Sequence, residues 1–239
     1  MGCRCNPRLV RYSGRATQDV EPEVTVRYRL AIFDFDGTLA DSFEWFCRAV
    51  TLAARRYRFR LAELDEVELL RGLDARRIAR HLDIPPWKMP FIARFMRRHM
   101  AQELSSIRLF PGIEQALRTL ADADITLAIV TSNSHQNVRQ VLGAELCGLF
   151  SHYGCGASLL GKRPKLRAVL RACQLAPEQA IYVGDEIRDL EAARAERIDF
   201  GAVGWGYTRP HGFHAHAPRW LFGSAQELVQ RLIVPAHVT

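Results

Sequence analysis

No apolar run in this 239-residue chain approaches the length of a membrane span, so no membrane partner is expected. Zinc-type spacing is missing too: Cys3, Cys5, Cys47, Cys147, Cys155 and Cys173 are scattered. Reduced thiols in a cytoplasmic protein are the expectation. The start of the chain lacks the hydrophobic core of a secretory signal, and Met1-Gly2 is not followed by Ser or Thr at position 6, as myristoylation requires. Residues 1–26 show no apolar periodicity and carry Arg4, Arg8, Arg11 and Arg15. They are expected to be a disordered tail, or the product of a start codon placed too early. Between Asp41 and about Ser106 there is no strand pattern. The formal charge of +7 invites a nucleic-acid partner, but basic residues are interleaved with acids and aromatics do not alternate with them. No nucleic acid is expected.

What the chain does contain is a carboxylate cluster at the end of an apolar segment. Leu30-Ala31-Ile32-Phe33 runs into Asp34-Phe35-Asp36-Gly37-Thr38-Leu39-Ala40-Asp41-Ser42. Residues i and i+2 of a strand share a face, so Asp34 and Asp36 begin side by side and repel. Gly37 permits a sharp bend. A divalent cation such as Mg²⁺, which takes hard oxygen ligands, makes sense of such a cluster. An ordinary Asp-Gly turn is the alternative. Two more apolar, β-branched segments end in polar loops. Ile125–Val130 stops at Thr131-Ser132-Asn133-Ser134, a hydroxyl-rich strand-to-helix turn suited to phosphate, or a plain helix cap by Ser132 or Ser134. Ala180–Val183 leads into Gly184-Asp185-Glu186-Ile187-Arg188-Asp189. Glu186 and Asp189 would suit a helix start in any case. Asp185, directly after strand and glycine, is harder to explain by stability alone.

These strings, in this order and at strand ends, resemble the signatures of the haloacid dehalogenase superfamily of phosphohydrolases. Two aspartates flanking one residue before Gly-Thr-Leu, a Thr after the second strand, and Gly-Asp followed by a further Asp all match. The resemblance implies an α/β fold: a Rossmann-like parallel sheet flanked by helices, with ligands at the carboxyl ends of the strands. It implies Mg²⁺ held by Asp34, Asp185 and the backbone carbonyl of Asp36. It makes Asp34 the nucleophile that is transiently phosphorylated and Asp36 the general acid, then base. The resemblance also implies that Thr131 contacts phosphate, with Ser132 and Asn133 in support, and that Asp189 holds the catalytic lysine or a metal-bound water. That lysine lies in Gly161-Lys162-Arg163-Pro164-Lys165. Lys162 is preferred because it precedes the helix-starting Pro164, while Lys165 is the reserve, falling one turn inside the helix. Because Asp36 is present, a phosphatase is expected rather than a dehalogenase. A phosphomutase of the same superfamily, or a degenerate member kept as a binding protein, are the alternatives.

Helical periodicity fills the stretch without strands. Phe43, Phe46, Cys47 and Val50 recur at helical spacing, as do Leu69-Leu70 and Leu73, then Phe95-Met96 and Met100. An insert at this place resembles the small α-helical cap of one large subgroup of the superfamily, which closes over the site and reads the organic part of the substrate. Residues 28–41 and 107–235 are thus expected to form the core and 42–106 the cap, hinged at Asp41-Ser42 and near Leu109-Phe110-Pro111-Gly112. With 48% hydrophobic residues the chain has enough apolar material for both. Of the many cap arginines, Arg71, beside Gly72, is the candidate for an anionic group of the substrate, with a plain structural role as the alternative; Gly37 and Lys165 are further candidate substrate contacts. Ile198–Val203 reads as another strand, ending in Gly204-Trp205-Gly206-Tyr207, a turn that either lines the pocket or packs. Arg219–Phe222 reads as a last short strand, and Ser224 as the cap of a helix through Leu232. His211, His214 and His216 are expected to be solvated rather than to bind metal. The resemblance extends to phosphoglycolate-phosphatase-like members, so a small phosphorylated metabolite is the expected substrate.

Overall fold

Leu30, Ala31, Ile32 and Phe33 are all buried, because both faces of the strand they form are covered by helices. In the computed structural model, residues 24–63, 66–67, 75–156, 158 and 161–235 are described. Their strands, in chain order, are β1 (Val24–Val26), β2 (Leu30–Phe33), β3 (Ala40–Asp41), β4 (Arg108–Leu109), β5 (Thr126–Val130), β6 (Phe150–Gly154), β7 (Ala180–Gly184), β8 (Asp199–Val203), β9 (Trp220–Phe222) and β10 (Ile233–Pro235). The α-helices accompanying them are α1 (Phe43–Tyr57), α2 (Ala75–His81), α3 (Met89–Glu103), α4 (Ile113–Asp122), α5 (His135–Leu149), α6 (Arg163–Cys173), α7 (Ile187–Ala195) and α8 (Ala225–Leu232).

Six strands form one parallel sheet in the order β6-β5-β2-β7-β8-β9. The expected α/β architecture is therefore present. Alternation along β2 divides the interior in two. Leu30 and Ile32 join Leu166, Val169 and Leu170 of α6 and Leu190 and Ala193 of α7. Ala31 and Phe33 join Leu117 of α4, Leu142 of α5 and Leu228 of α8. From β2 the chain winds outward through β5 to β6, then crosses back to β7 and winds the other way. The strand order thus reverses between β2 and β7, where a crevice opens at the carboxyl ends.

Helices α1 to α3 lie between β3 and β4. Those two short strands pair antiparallel, Ala40 with Leu109 and Asp41 with Arg108, so the chain enters and leaves the helical segment side by side. Trp45 and Ala49 of α1 and Met100 of α3 belong to the same apolar cluster as Phe33 and Phe35, so this segment packs onto the sheet rather than standing apart. Some of its arginines pair with acids, Arg48 with Glu44 at 2.6 Å and Arg60 with Glu66 at 2.7 Å. Solvent screens such surface pairs, so apolar packing holds the helices.

Three features differ from the sequence reading. Val24–Val26, assigned to the tail, pairs with Ile233–Pro235; a three-residue strand is too short to show periodicity. Phe150–Gly154 was not recognised as a strand, because at the sheet edge only Phe150 is fully buried and the apolar run disappears. Helix α5, which the sequence pattern bounds at His135 and Val141, continues to Leu149 across a non-helical Gly143. His216 is half-buried. His211 and His214 are exposed on the turn Pro210–His216, and Phe213 is its buried residue.

The β8–β9 contact depends on one glycine. A Cβ on Gly201 would overlap the ring of Phe222, coming within 3.0 Å of its Cζ, and Phe222 is wholly buried. Gly201→Ala is expected to cost about 1–3 kcal/mol by overpacking, and Phe222→Ala about 3–5 kcal/mol by leaving a cavity. Urea denaturation midpoints of the two variants would check both figures.

Candidate active site

Three polar groups at the crevice directly follow buried strands. Asp34 directly follows β2, Thr131 follows β5 and Asp185 follows β7. After Asp34 the chain turns tightly, the Phe35 carbonyl accepting from the N–H groups of Leu39 at 3.0 Å and Ala40 at 2.9 Å. Gly37 sits at φ 75° in that turn, where a Cβ would overlap the carboxylate of Asp185 and approach Tyr207 Cδ1 to 2.7 Å. Gly206 is bound by the same constraint from the other side, since its Cβ would lie 2.6 Å from the Gly37 carbonyl and overlap Asp185. Two glycines thus make room for one buried acid.

Lys162 at the start of α6 is buried between two carboxylates. Its Nζ lies 2.8 Å from Asp34 Oδ2 and 2.6 Å from Asp189 Oδ1, at ion-pair distance although outside good hydrogen-bond angles. Burial works to lower its pKa, but the charges of Asp189 and Asp34 outweigh it and hold the ammonium above its ordinary value. Lys165 points elsewhere, its Nζ donating to the carbonyls of Thr131, at 2.8 Å, and Gly156. It ties two loops together. Thr131 is wholly buried, and its Oγ1 accepts from the Asn133 N–H at 3.1 Å.

Asp34, Asp185 and Asp189 each offer an oxygen within 4.8 Å of the others, and all three are buried. Three carboxylates face one ammonium, and Asp34 Oδ1 and Asp189 Oδ2 have no hydrogen-bond partner. Burial, then the nearby Glu186, pushes the Asp185 carboxyl well above the usual range despite hydrogen bonds from Thr38 Oγ1 at 3.0 Å and the Tyr207 N–H at 2.8 Å. Unpaired hard oxygens with excess negative charge fit a divalent cation such as Mg²⁺. The cluster includes the Asp189 carboxylate, which the sequence reading gave only a supporting place, whereas Asp36 could contribute through its backbone alone.

Asp36 has its own partners. Ser42 Oγ donates to its Oδ1 at 3.1 Å, and Asn133 Nδ2 to its Oδ2 at 2.9 Å. Burial, then the Asp34 charge, pushes its carboxyl up to about 7, against the effect of those donors. Asn133 also contacts Met100 Sδ of α3 at 2.9 Å, while Ser134 caps α5 by accepting from the Asn137 N–H at 3.2 Å. Ser132 is half-buried in this loop. Arg71 lies outside the described residues. Thr38, Ser42 and Tyr207 were not among the site residues read from the sequence. Thr38 and Ser42 stood inside the first motif, and Tyr207 in the glycine-rich turn. Trp205 of that turn donates its Nε1–H to the Thr38 carbonyl at 3.1 Å and so buttresses the same loop.

The family model described as haloacid dehalogenase-like hydrolase matches residues 31–203. The chain is 32% identical over 200 residues to the phosphoglycolate phosphatase of Synechococcus elongatus, covering 83% of this chain and 94% of that one. A haloacid dehalogenase-like family hydrolase from Streptococcus pneumoniae superposes with a TM-score of 0.71 at 23% identity, over 85% of this chain and 97% of the other. The CbbY protein of Rhodobacter sphaeroides, solved in complex with phosphate, gives a TM-score of 0.67 at 26% identity, over 84% and 96% of the two chains.

If Asp185 needs the space that glycine leaves, Gly206→Ala should displace it. The expected result is at least about a tenfold loss of Mg²⁺ affinity, the lower end for disturbing a metal site's supports, with an unchanged far-ultraviolet circular dichroism spectrum. Isothermal titration of the variant beside the wild type would measure it.

Proposed function

The chain belongs to the haloacid dehalogenase-like hydrolase family and is a phosphatase of phosphoric monoesters; from that premise we propose that it hydrolyses a small phosphorylated metabolite of the phosphoglycolate type through an aspartyl-phosphate. The observation that carries this reading is Lys162 held between Asp34 and Asp189 while Asp34 Oδ1 stays unpaired, at the crevice where the strand order reverses.

In this mechanism the Asp34 carboxylate attacks phosphorus and the bond to the ester oxygen breaks. Asp36 gives its proton to the departing alkoxide. Asp36 then takes a proton from water, which attacks the aspartyl-phosphate, releases inorganic phosphate and restores Asp34. Lys162 neutralises charge on the phosphoryl oxygens. Thr131, whose Oγ1 already accepts from Asn133, has its hydroxyl proton left to donate to phosphate. Asp34, Asp185 and the Asp36 carbonyl, with the Asp189 carboxylate adjoining, would hold Mg²⁺. Bound there, it would supply further neutralisation of the transferring group. Lys165 orders the Thr131 loop and takes no part in the transfer. Residues 28–41 and 107–235 form the catalytic core in this reading, and 42–106 the cap that screens the site from water.

Phosphate release from phosphoglycolate, glycerol phosphate, sugar phosphates and nucleoside monophosphates, with Mg²⁺ or EDTA, tests it. Turnover should require Mg²⁺ and be greatest with small esters. Asp34→Asn should abolish it, and Lys162→Met should lower kcat by about 10²–10³, the typical loss for one electrostatic donor. Lys165→Met should cost less than Lys162→Met. Turnover surviving in Asp34→Asn would overturn the mechanism.

A further inference from the structure

The acid Asp36 is held by a chain of hydroxyls that begins far away in sequence. Ser42 Oγ donates to Asp36 Oδ1 at 3.1 Å, and a second hydrogen bond of 2.8 Å joins Ser42 Oγ to the hydroxyl of Tyr207. A serine hydroxyl has one proton. With that proton directed at the carboxylate, the Tyr207 hydroxyl is the donor in the second bond. Ser42 has no exposed surface, so water does not compete for it. Oδ1 thus receives the Ser42 hydroxyl, and Asn133 Nδ2 bonds mainly to Oδ2, at 2.9 Å against 3.2 Å to Oδ1. Oδ2, with a lone pair still open, is the oxygen left to carry a transferable proton.

Tyr207 is fixed from three directions. Its backbone N–H donates to Asp185 Oδ2 at 2.8 Å, and its ring lies 5.3 Å from Phe43 and 5.2 Å from Phe46, centroid to centroid, both on the first turn of α1. Ser42 is the residue just before that helix. The hydroxyl chain therefore joins the acid to the Asp185 carboxylate and to the first helix of the inserted segment. We propose that Ser42 and Tyr207 are positioning residues that aim Asp36 Oδ2 at the oxygen of the leaving alcohol. This rests on the phosphatase reading above, with Asp36 as the acid.

Aim matters only where a proton is needed. When the ester bond of an alkyl phosphate breaks, its electron pair stays on an alkoxide oxygen, which takes the proton of Asp36. When acetyl phosphate reacts, acetate leaves unprotonated. The value of kcat/KM reports steps up to transfer onto Asp34, before Asp36 acts as base, so the ratio of kcat/KM for the two substrates isolates the acid function.

Ser42→Ala should lower kcat/KM for the best alkyl phosphate by about tenfold or more, part of the 10²–10⁴ that general acid catalysis supplies, and that for acetyl phosphate by less than about threefold. Tyr207→Phe keeps the ring packing against Phe43 and Phe46 and should shift the ratio in the same direction by a smaller factor. Equal losses on both substrates would mean structural support only and would overturn the proposal. An unchanged alkyl phosphate rate in Ser42→Ala, or an unchanged ratio in Tyr207→Phe, would overturn it as well. Failure of the underlying reading looks different: wild type would release no phosphate from either substrate, or Asp34→Asn would remain active.

Discussion

Buried negative charge without enough positive charge beside it is the constraint on which the rest of this structure depends. Asp34, Asp185 and Asp189 share a space in which one ammonium, that of Lys162, is at ion-pair distance from two of them. A buried ion pair does not by itself stabilise a fold, because desolvation cancels much of the Coulombic gain. Such an arrangement persists where the surrounding structure supports it and where function uses the excess charge. Here the support is the parallel sheet, whose apolar strands run wholly buried up to the acids.

The supporting parts are few and specific. Gly37 and Gly206 leave the space that Asp185 fills, and the Thr38 hydroxyl and the Tyr207 N–H donate to its oxygens. Lys165 holds the Thr131 loop through backbone carbonyls, which keeps a second cation out of direct contact with Asp34. Asp36 stands apart from the triad with Ser42 and Asn133 as donors. The two aspartates of the first motif therefore have separate environments.

The helical segment between β3 and β4 touches this site at both of its ends. Ser42 and Phe43 open it, while Met100, near its close, meets Asn133. Both donors to Asp36 are thus in contact with the inserted helices. The position of Asp36 and that of those helices are linked by these contacts, and the paired strands β3 and β4 bring the two ends of the segment side by side.

The amino-acid sequence by itself determined the fold class and the order of the motifs. Strands covered on both faces leave long apolar runs, as at Leu30–Phe33 and Ala180–Val183, and the acids that follow such runs stand out against them. The edge strand Phe150–Gly154 left no such mark, because one side of it faces solvent. Which partners Lys162 and Lys165 reach belonged to the tertiary structure. Lys162 precedes the first turn of α6 and Lys165 lies within it, and only the packing of that helix against β5 and β6 decides which carboxylates or carbonyls each meets. The partnership of Ser42 with Tyr207 was invisible for a plainer reason. The two residues are 165 positions apart, and only the sheet order and the docking of α1 bring their hydroxyls to 2.8 Å. Local patterns record which face of a segment is buried. They do not record which distant side chain will lie against it.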